Sequence, residues 1–518
     1  MDLPTAIGSS DSGAAPNVDS MTSTYRPRVL VIGAGFGGLA AAHELSKDGR
    51  ADVLVLEKAG DIGGVWRENT YPGAACDVPS NLYSYSFAPK TDWGRRYAEQ
   101  TDILGYIHDT AERLGLRKLV RTGVEVTSAR FDDTSGSWRV TTSHGEVFEA
   151  DVLVPATGQL SRPSLPSIPG LDSFAGPSFH SAQWRHDLDL TGKRVAVLGT
   201  GASAIQFVPR IRRLAKHVTV FQRSAPYVVP KPDRGYTRIH HEAFRKMPGF
   251  AAAMRGLIWQ ITEFFSLALT KAPMLARLVG LLASANLKWH IKDPALRAKL
   301  TPDYAIGCKR VLFSSDWYPA LACDNVEVET DAISAVTPTG VQTADGRLHD
   351  VDVIIYGTGF KATEFLTPIE VFGRGGRDLH KQWADGARAH LGMTVPGFPN
   401  MFLIYGPNTN LGSSSIILMM EQQARYIRQV MDELIRVGGT HAFEVRQAVE
   451  QAYDADVQSR LDKGVWTTCD SWYRTDSGRV TTNWPGLVHE YQRRTERVTF
   501  SDFIEIERAA VTREDIHA

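Results

Sequence analysis

The chain has 518 residues, with 57 Lys and Arg against 58 Asp and Glu and a formal net charge of −1. That balance excludes the broad basic surface that binds nucleic acid through counterion release. A hydrophobic content of 43% with 22% charged residues excludes a disordered or collagen-like chain, and the length implies about three domains.

Residues 1–25 are rich in Ser, Gly, Ala and Asp and hold no apolar core segment. They read as a disordered lead-in rather than a signal peptide. A hydrophobic strand over Val29–Ile32 then runs into Gly33-x-Gly35-x-x-Gly38 and a helical pattern with Leu39, Ala42 and Leu45. A second strand, Val53–Leu56, ends at Glu57, 24 positions after Gly33. Strand, glycine loop, helix and terminal acid together form a dinucleotide-binding βαβ fingerprint in its proper context.

The pattern recurs 166 residues later. Val195–Leu198 leads into Gly199-x-Gly201-x-x-Ala204, a helix with Ile205, Val208 and Ile211, and a strand Val218–Phe221. Here the decisive position, again 24 residues after the first glycine, is Arg223. A carboxylate at that place accepts the ribose hydroxyls of an adenosine, whereas an arginine pairs with a 2′-phosphate. The first unit therefore suits FAD or NAD, and the second suits NADP.

Two further strands, Val152–Pro155 and Val353–Tyr356, end in the alike turns Thr157-Gly158 and Thr358-Gly359. They read as paired crossings between two domains. The expected class is α/β, with two Rossmann-like domains and the NADP domain inserted in the FAD domain. The segments are an FAD domain over 26–160, an NADP domain over 161–230 and 305–354, a helical insert over 231–304 within it, and the rest of the FAD domain with a C-terminal loop region over 355–518. The aromatic and aliphatic run of the insert (Trp259, Phe264, Phe265, Leu267, Leu269) reads as its core, with a membrane- or partner-binding face over 255–287 as the lesser reading. Charges interrupt that run too often for a spanning helix.

Cys76, Cys308, Cys323 and Cys469 show no C-x-x-C spacing and no metal-spaced histidines. No metal site is expected, and the default reading is a reducing, cytoplasmic setting without a disulfide scaffold. The lack of a closely spaced cysteine pair near the first helix also disfavours a disulfide reductase, leaving oxygen as the electron acceptor.

Four motifs then carry a resemblance. Phe174-x-Gly176-x-x-x-His180-x-x-x-Trp184 is followed by Arg185. Gly63-Gly64-Val65-Trp66-x-x-x-x-Tyr71-Pro72-Gly73-x-x-x-Asp77 lies after the second strand. Lys309-Arg310 and Ser471-Trp472-Tyr473 complete the set. From about residue 27 to about 490 the chain resembles the flavoprotein monooxygenases of the Baeyer–Villiger type, although that group usually has Pro or Asp where Arg185 stands. The resemblance implies FAD and NADPH as cofactors and a ketone and O₂ as substrates. The resemblance further implies that NADPH would reduce FAD, that O₂ would form a flavin C4a-peroxide, and that its anion would attack the ketone to yield an ester or lactone. Arg310 would lie over the flavin, with Asp77 pairing behind it, as the catalytic pair. Lys309 and Arg223, with Ser203 and Ser224, would hold NADP. Gly33, Gly35, Gly38, Glu57, Gly64 and Trp66 would hold FAD, Gly199 and Gly201 the second pyrophosphate, and Trp472 would close over the nicotinamide. His180 and Trp184 read as structural linker residues, and Ile416–Met420 as a candidate lid. Two other functions stay open: an N- or S-oxidising flavin monooxygenase, and a nucleotide-binding flavoprotein that engages a partner through its insert.

Overall fold

The computed structural model describes residues 25–247 and 249–508, and the first 24 residues of the expected lead-in lie outside them. Tyr25, assigned to that lead-in, is held in the fold: Arg508 Nη1 donates to its hydroxyl at 2.9 Å.

The first unit is built on β1 (Arg28–Ile32), α1 (Phe36–Leu45), β2 (Asp52–Glu57) and β3 (Val120–Thr122). A meander of β4 (Val126–Asp132), β5 (Ser137–Thr142) and β6 (Val147–Ala150) precedes β7 (Val152–Pro155). The order β3-β2-β1-β7 is all parallel, with Arg28 opposite Asp52 and Val29 opposite Val152. A parallel strand covered on both faces needs an unbroken apolar run, which is why Val29–Ile32 and all of β7 are buried.

The second unit opens with β8 (Ser178–His180) and continues through β9 (Arg194–Leu198), α2 (Ala204–Ile211) and β10 (His217–Phe221). The chain then leaves the sheet for α3 (Arg238–Lys246), α4 (Phe250–Lys271) and α5 (Pro273–His290). It returns in β11 (Val326–Glu329) and β12 (Val353–Tyr356), giving the parallel order β11-β10-β9-β12-β8. Ile355 and Tyr356, which the sequence reading put in the FAD segment, pair here with Val197 and Leu198. The crossing therefore falls two residues later, because hydrogen bonding continues to the end of the apolar run. β7 and β12 resemble one another because each flanks the first strand of its own unit. The chain rejoins the first unit at β13 (Glu370–Phe372), parallel to β4, and at α6 (Ile416–Arg436).

Two readings are corrected by packing. Ile417, Leu418, Met419 and Met420 are buried in the first turns of α6, within the core that includes α1. That segment is core, not lid. In the insert, Trp259 packs against the FAD-domain core, but Phe264, Phe265 and Leu267 are exposed; the Leu269 side chain lies outside the described residues. Nor does the insert belong to the NADP domain alone. Arg255 Nη1 on α4 donates to the carbonyls of Asn81, Leu82 and Ser84, while Leu287 on α5 lies in the NADP-domain core. The helical hairpin thus straddles both units. Among the described residues, no helix is long and apolar enough to cross a membrane.

Candidate active site

The two glycine loops stand at the carboxyl ends of β1 and β9, where open α/β sheets bind ligands. Gly33 has φ +103°, and a Cβ there would meet the Ala156 carbonyl oxygen at 2.7 Å, so only glycine fits. Gly64, at φ +55°, faces Gly35, and a Cβ on it would lie 3.1 Å from the Gly35 Cα. The two loops thus form a side-chain-free backbone cradle, which suits a pyrophosphate. Gly38 cannot carry a side chain either, since a Cβ would collide with the Gly33 carbonyl. In the second unit a Cβ on Gly199 would meet the Gly357 carbonyl at 2.5 Å. Gly201 lies beside the same carbonyl, which a Cβ there would approach to 3.7 Å.

Glu57 is buried, and its carboxylate accepts the amides of Ala34 at 2.8 Å and Ala59 at 3.0 Å. Each oxygen keeps capacity for a further donor, such as a ribose hydroxyl. Trp66 donates to the Tyr83 hydroxyl at 3.1 Å and packs edge-on to its ring.

Arg223 is exposed just past the end of β10. Lys309 Nζ donates to Ser224 Oγ at 2.9 Å and lies over the Tyr304 ring. Burial, and then the Arg223 charge, lower the Lys309 pKa. Two cations that repel one another beside a hydroxyl, at the end of a Rossmann strand, suit a phosphate monoester.

Arg310 and Asp77 meet across a separation of 233 residues. Arg310 Nη2 lies 2.7 Å and Nε 3.1 Å from the same Asp77 oxygen, Oδ2. Burial, the largest influence, would raise the Asp77 carboxyl; the Arg310 charge, the Arg310 hydrogen bond and the Lys231 charge together outweigh it and hold the group below its ordinary range. The Asp77 charge in turn holds Arg310 above its own. Arg310 lines a small cavity with Lys309, Leu411, Ser413, Tyr473 and Trp484.

Several residues here have roles that the sequence reading did not assign. Burial raises the Tyr473 phenol to about 12 and pushes Tyr405 higher still, so both stay protonated beside Arg310. Lys231 is a second cation near Asp77, over the Tyr97 ring at 5.0 Å. Gln206 on α2 reaches across the domain boundary: Oε1 accepts the Tyr71 hydroxyl at 3.0 Å and the Ala75 amide at 3.4 Å, and Nε2 donates to the Ala75 carbonyl at 2.9 Å. It clamps the loop that carries Asp77. Ser203, just before α2, also interacts with Tyr71. A polar residue in the first turn of a helix gives no sequence signal for such a role.

Two expectations change. Cys308 and Cys469 form a disulfide, against the expectation of reduced thiols, and Cys76 and Cys323 are free. The bridge ties the segment before Lys309-Arg310 to the segment before Trp472. Trp472 is 39% exposed and packs on Tyr473, with ring centroids 4.2 Å apart. His180 belongs to β8, not to a linker; its Nδ1 accepts the Ala182 amide at 3.1 Å and burial lowers its pKa. Trp184 packs edge-on against Phe179, and Arg185 pairs with Asp187 at the surface. Among the described residues, Glu327, Glu329 and His349 could offer metal ligands. Arg347 lies 2.9 Å from Glu327 and 3.8 Å from Glu329 and compensates their charge.

The family model described as flavin-binding monooxygenase-like matches residues 26–247. A Baeyer–Villiger monooxygenase of Streptomyces coelicolor is 46% identical over 92% of this chain and 92% of its own length. The chain belongs to the Baeyer–Villiger monooxygenase family. Among solved structures, a steroid monooxygenase bound to NADP superposes with a TM-score of 0.83 at 32% identity, covering 93% of this chain and all of that one. OTEMO in complex with FAD and NADP gives 0.84 at 28% identity, with 93% of this chain and all of that one covered. The two parallel sheets described above are thus the two-domain fold of these flavoprotein monooxygenases.

Proposed function

We propose that this chain uses NADPH and O₂ to insert one oxygen atom beside a ketone carbonyl, giving an ester or lactone. The observation that carries this is the Asp77–Arg310 pair at 2.7 Å, with Arg310 lining the cavity. Gly33, Gly35, Gly38, Glu57, Gly64 and Trp66 would hold FAD; Gly199, Gly201, Ser203, Arg223, Ser224, Lys309 and Trp472 would hold NADPH. When bound, these cofactors supply the electrons and the ring on which oxygen is activated. The protein's part is electrostatic and steric. Arg310 presents a fixed positive charge, since guanidinium stays protonated at every working pH. Asp77 takes two of its N–H groups and so holds the plane of the guanidinium. Tyr405 and Tyr473 keep their phenolic protons and add no negative charge beside the site. Excluding water from such a pocket strengthens each of these interactions.

The test is purified holoenzyme with NADPH, O₂ and a panel of ketones, thioethers and amines, read by product mass. Ester or lactone supports the proposal. Turnover confined to sulfoxide or N-oxide would assign the heteroatom chemistry instead, and absence of NADPH-driven flavin reduction would sink both.

Two further results are expected. Arg223→Ala should raise the KM for NADPH by about tenfold or more, the worth of a lost charge-assisted hydrogen bond. The KM for NADH should stay nearly constant; a parallel rise for both would refute the 2′-phosphate role. Gln206→Leu should raise the fraction of NADPH electrons lost as H₂O₂ several-fold, with Gln206→Glu intermediate because it keeps an acceptor for the Tyr71 hydroxyl. Unchanged coupling in both variants would remove Gln206 from the positioning of Asp77.

A further inference from the structure

The insert carries helices that are apolar on two sides. On α5 the inward side is Val279, Ala283, Asn286 and Leu287, all buried. Its outward side is Met274, Leu278, Leu281, Leu282 and Trp289, at 79%, 54%, 64%, 60% and 74% exposure. The spacing i, i+4, i+7, i+8, i+15 is a single stripe along the helix. On α4, Ile258, Thr262 and Ser266 are buried, while Leu257, Ile261, Phe264 and Phe265 leave a second stripe uncovered. A surface helix normally presents charged and polar residues to water, and contiguous apolar exposure of this kind marks an interaction site.

The charge pattern identifies what covers it. Residues 238–299 hold ten Lys and Arg against three Asp and Glu, an excess of seven positive charges in a chain whose net charge is −1. From 250 to 290 there is one carboxylate, Glu263, and it is buried and accepts the Val488 amide at 3.0 Å. Arg277, Lys288 and Lys292 are exposed beside the α5 stripe, and among the described residues no carboxylate pairs with them. Lys292 Nζ lies over the Trp289 ring at 5.5 Å. Apolar stripe, flanking cations and an aromatic at one end make up the composition of a helix that lies in the plane of a lipid interface. Self-association through this face would set like charges against one another, which disfavours a second copy as the occupant.

We propose that the outer faces of α4 and α5 dock on an anionic phospholipid bilayer. The apolar stripe enters the headgroup boundary, and Arg277, Lys288 and Lys292 meet lipid phosphates. Ser266 lines the Arg310 cavity from the same α4. Docking therefore brings the lipid surface to the helix that bounds the site and, on the reading of the reaction given above, would favour lipophilic ketones. The docking itself is tested without turnover.

Holoenzyme is co-sedimented with vesicles of phosphatidylcholine alone and with vesicles containing about a third phosphatidylglycerol. Binding at least tenfold tighter to the anionic vesicles, weakening as salt is added, is the expected result. Leu278→Glu combined with Leu282→Glu, and separately Arg277→Glu combined with Lys288→Glu, should each weaken that binding at least tenfold. Both variants should keep bound flavin and turnover of a water-soluble substrate, which shows that they fold. Failure of the parent enzyme to sediment with anionic vesicles at low salt overturns the proposal, as does binding unaffected by the substitutions. Concentration-dependent dimers in light scattering that the same variants abolish would assign the face to a second copy instead.

Discussion

Arg310→Ala should lower ester formation at least a hundredfold while NADPH still reduces the flavin. The charge-assisted hydrogen bond that Arg310 can offer a developing oxyanion contributes about 1.5–3 kcal/mol, or one to two decades in rate. Removal also leaves Asp77 without its partner at 2.7 Å. Breaking one side of a buried ion pair typically costs about 3–5 kcal/mol; partial exposure and the Lys231 charge near Asp77 offset part of that here. Arg310→Lys keeps the charge but not the fork that places Nε and Nη2 on one carboxylate oxygen; it should recover only part of the rate. Asp77→Ala should slow oxygenation more than reduction, because the guanidinium loses its rotamer but keeps its charge. Stopped-flow traces of the two half-reactions decide this, and unchanged oxygenation in either alanine variant would end the assigned role. The pair also bears on pH. Asp77 titrates below its ordinary value and Arg310 above its own. The stability that Asp77 contributes is therefore complete above the unfolded carboxyl value and is lost as pH falls through the folded one. Neither group should shape the activity profile near neutrality.

The second large effect is expected from Cys308→Ser combined with Cys469→Ser. The bridge spans 161 residues, and closing a loop of that length restricts the unfolded chain by about 5 kcal/mol in the chain-entropy account. Its local consequence matters more for turnover, since it ties the segment carrying Trp472 and Tyr473 to the one carrying Lys309 and Arg310. Without the bridge the loop samples a wider range of positions. The melting temperature should fall by several degrees, the KM for NADPH should rise, and more NADPH should be spent on H₂O₂. Titration of the denatured, unreduced protein should find two thiols, Cys76 and Cys323, and four after reduction. Four before reduction, or a serine variant with parent coupling and stability, would remove the bridge from the mechanism.

The parts of the fold that were legible in the chain are those written by local backbone physics. Val29–Gly38 and Val195–Ala204 each hold a strand, a loop admitting only small residues and a helix within about ten residues, and Glu57 against Arg223 distinguishes the two nucleotides by charge alone. The crossings at β7 and β12 were readable because both are short, fully apolar strands before a Thr-Gly turn. The two-residue shift at Tyr356 arose because an apolar run does not announce where its hydrogen bonding ends.

Composition and periodicity could not say on which side an apolar residue ends up. Ile417–Met420 are apolar, and so are Leu278, Leu281 and Leu282, yet the first group packs against α1 and the second faces outward. The difference lies in what the rest of the chain brings alongside. The same holds for the Cys308–Cys469 bridge and for the Gln206 clamp on Ala75, which join residues 161 and 131 positions apart. By itself the amino-acid sequence determined the two nucleotide-binding units, their charge preference and the residues able to do the chemistry, since these depend on short-range geometry and side-chain identity. Only the tertiary structure decided how the two units are clamped together, which cysteines pair and which apolar faces remain uncovered. Those outcomes follow from contacts between distant segments, and no local pattern encodes them.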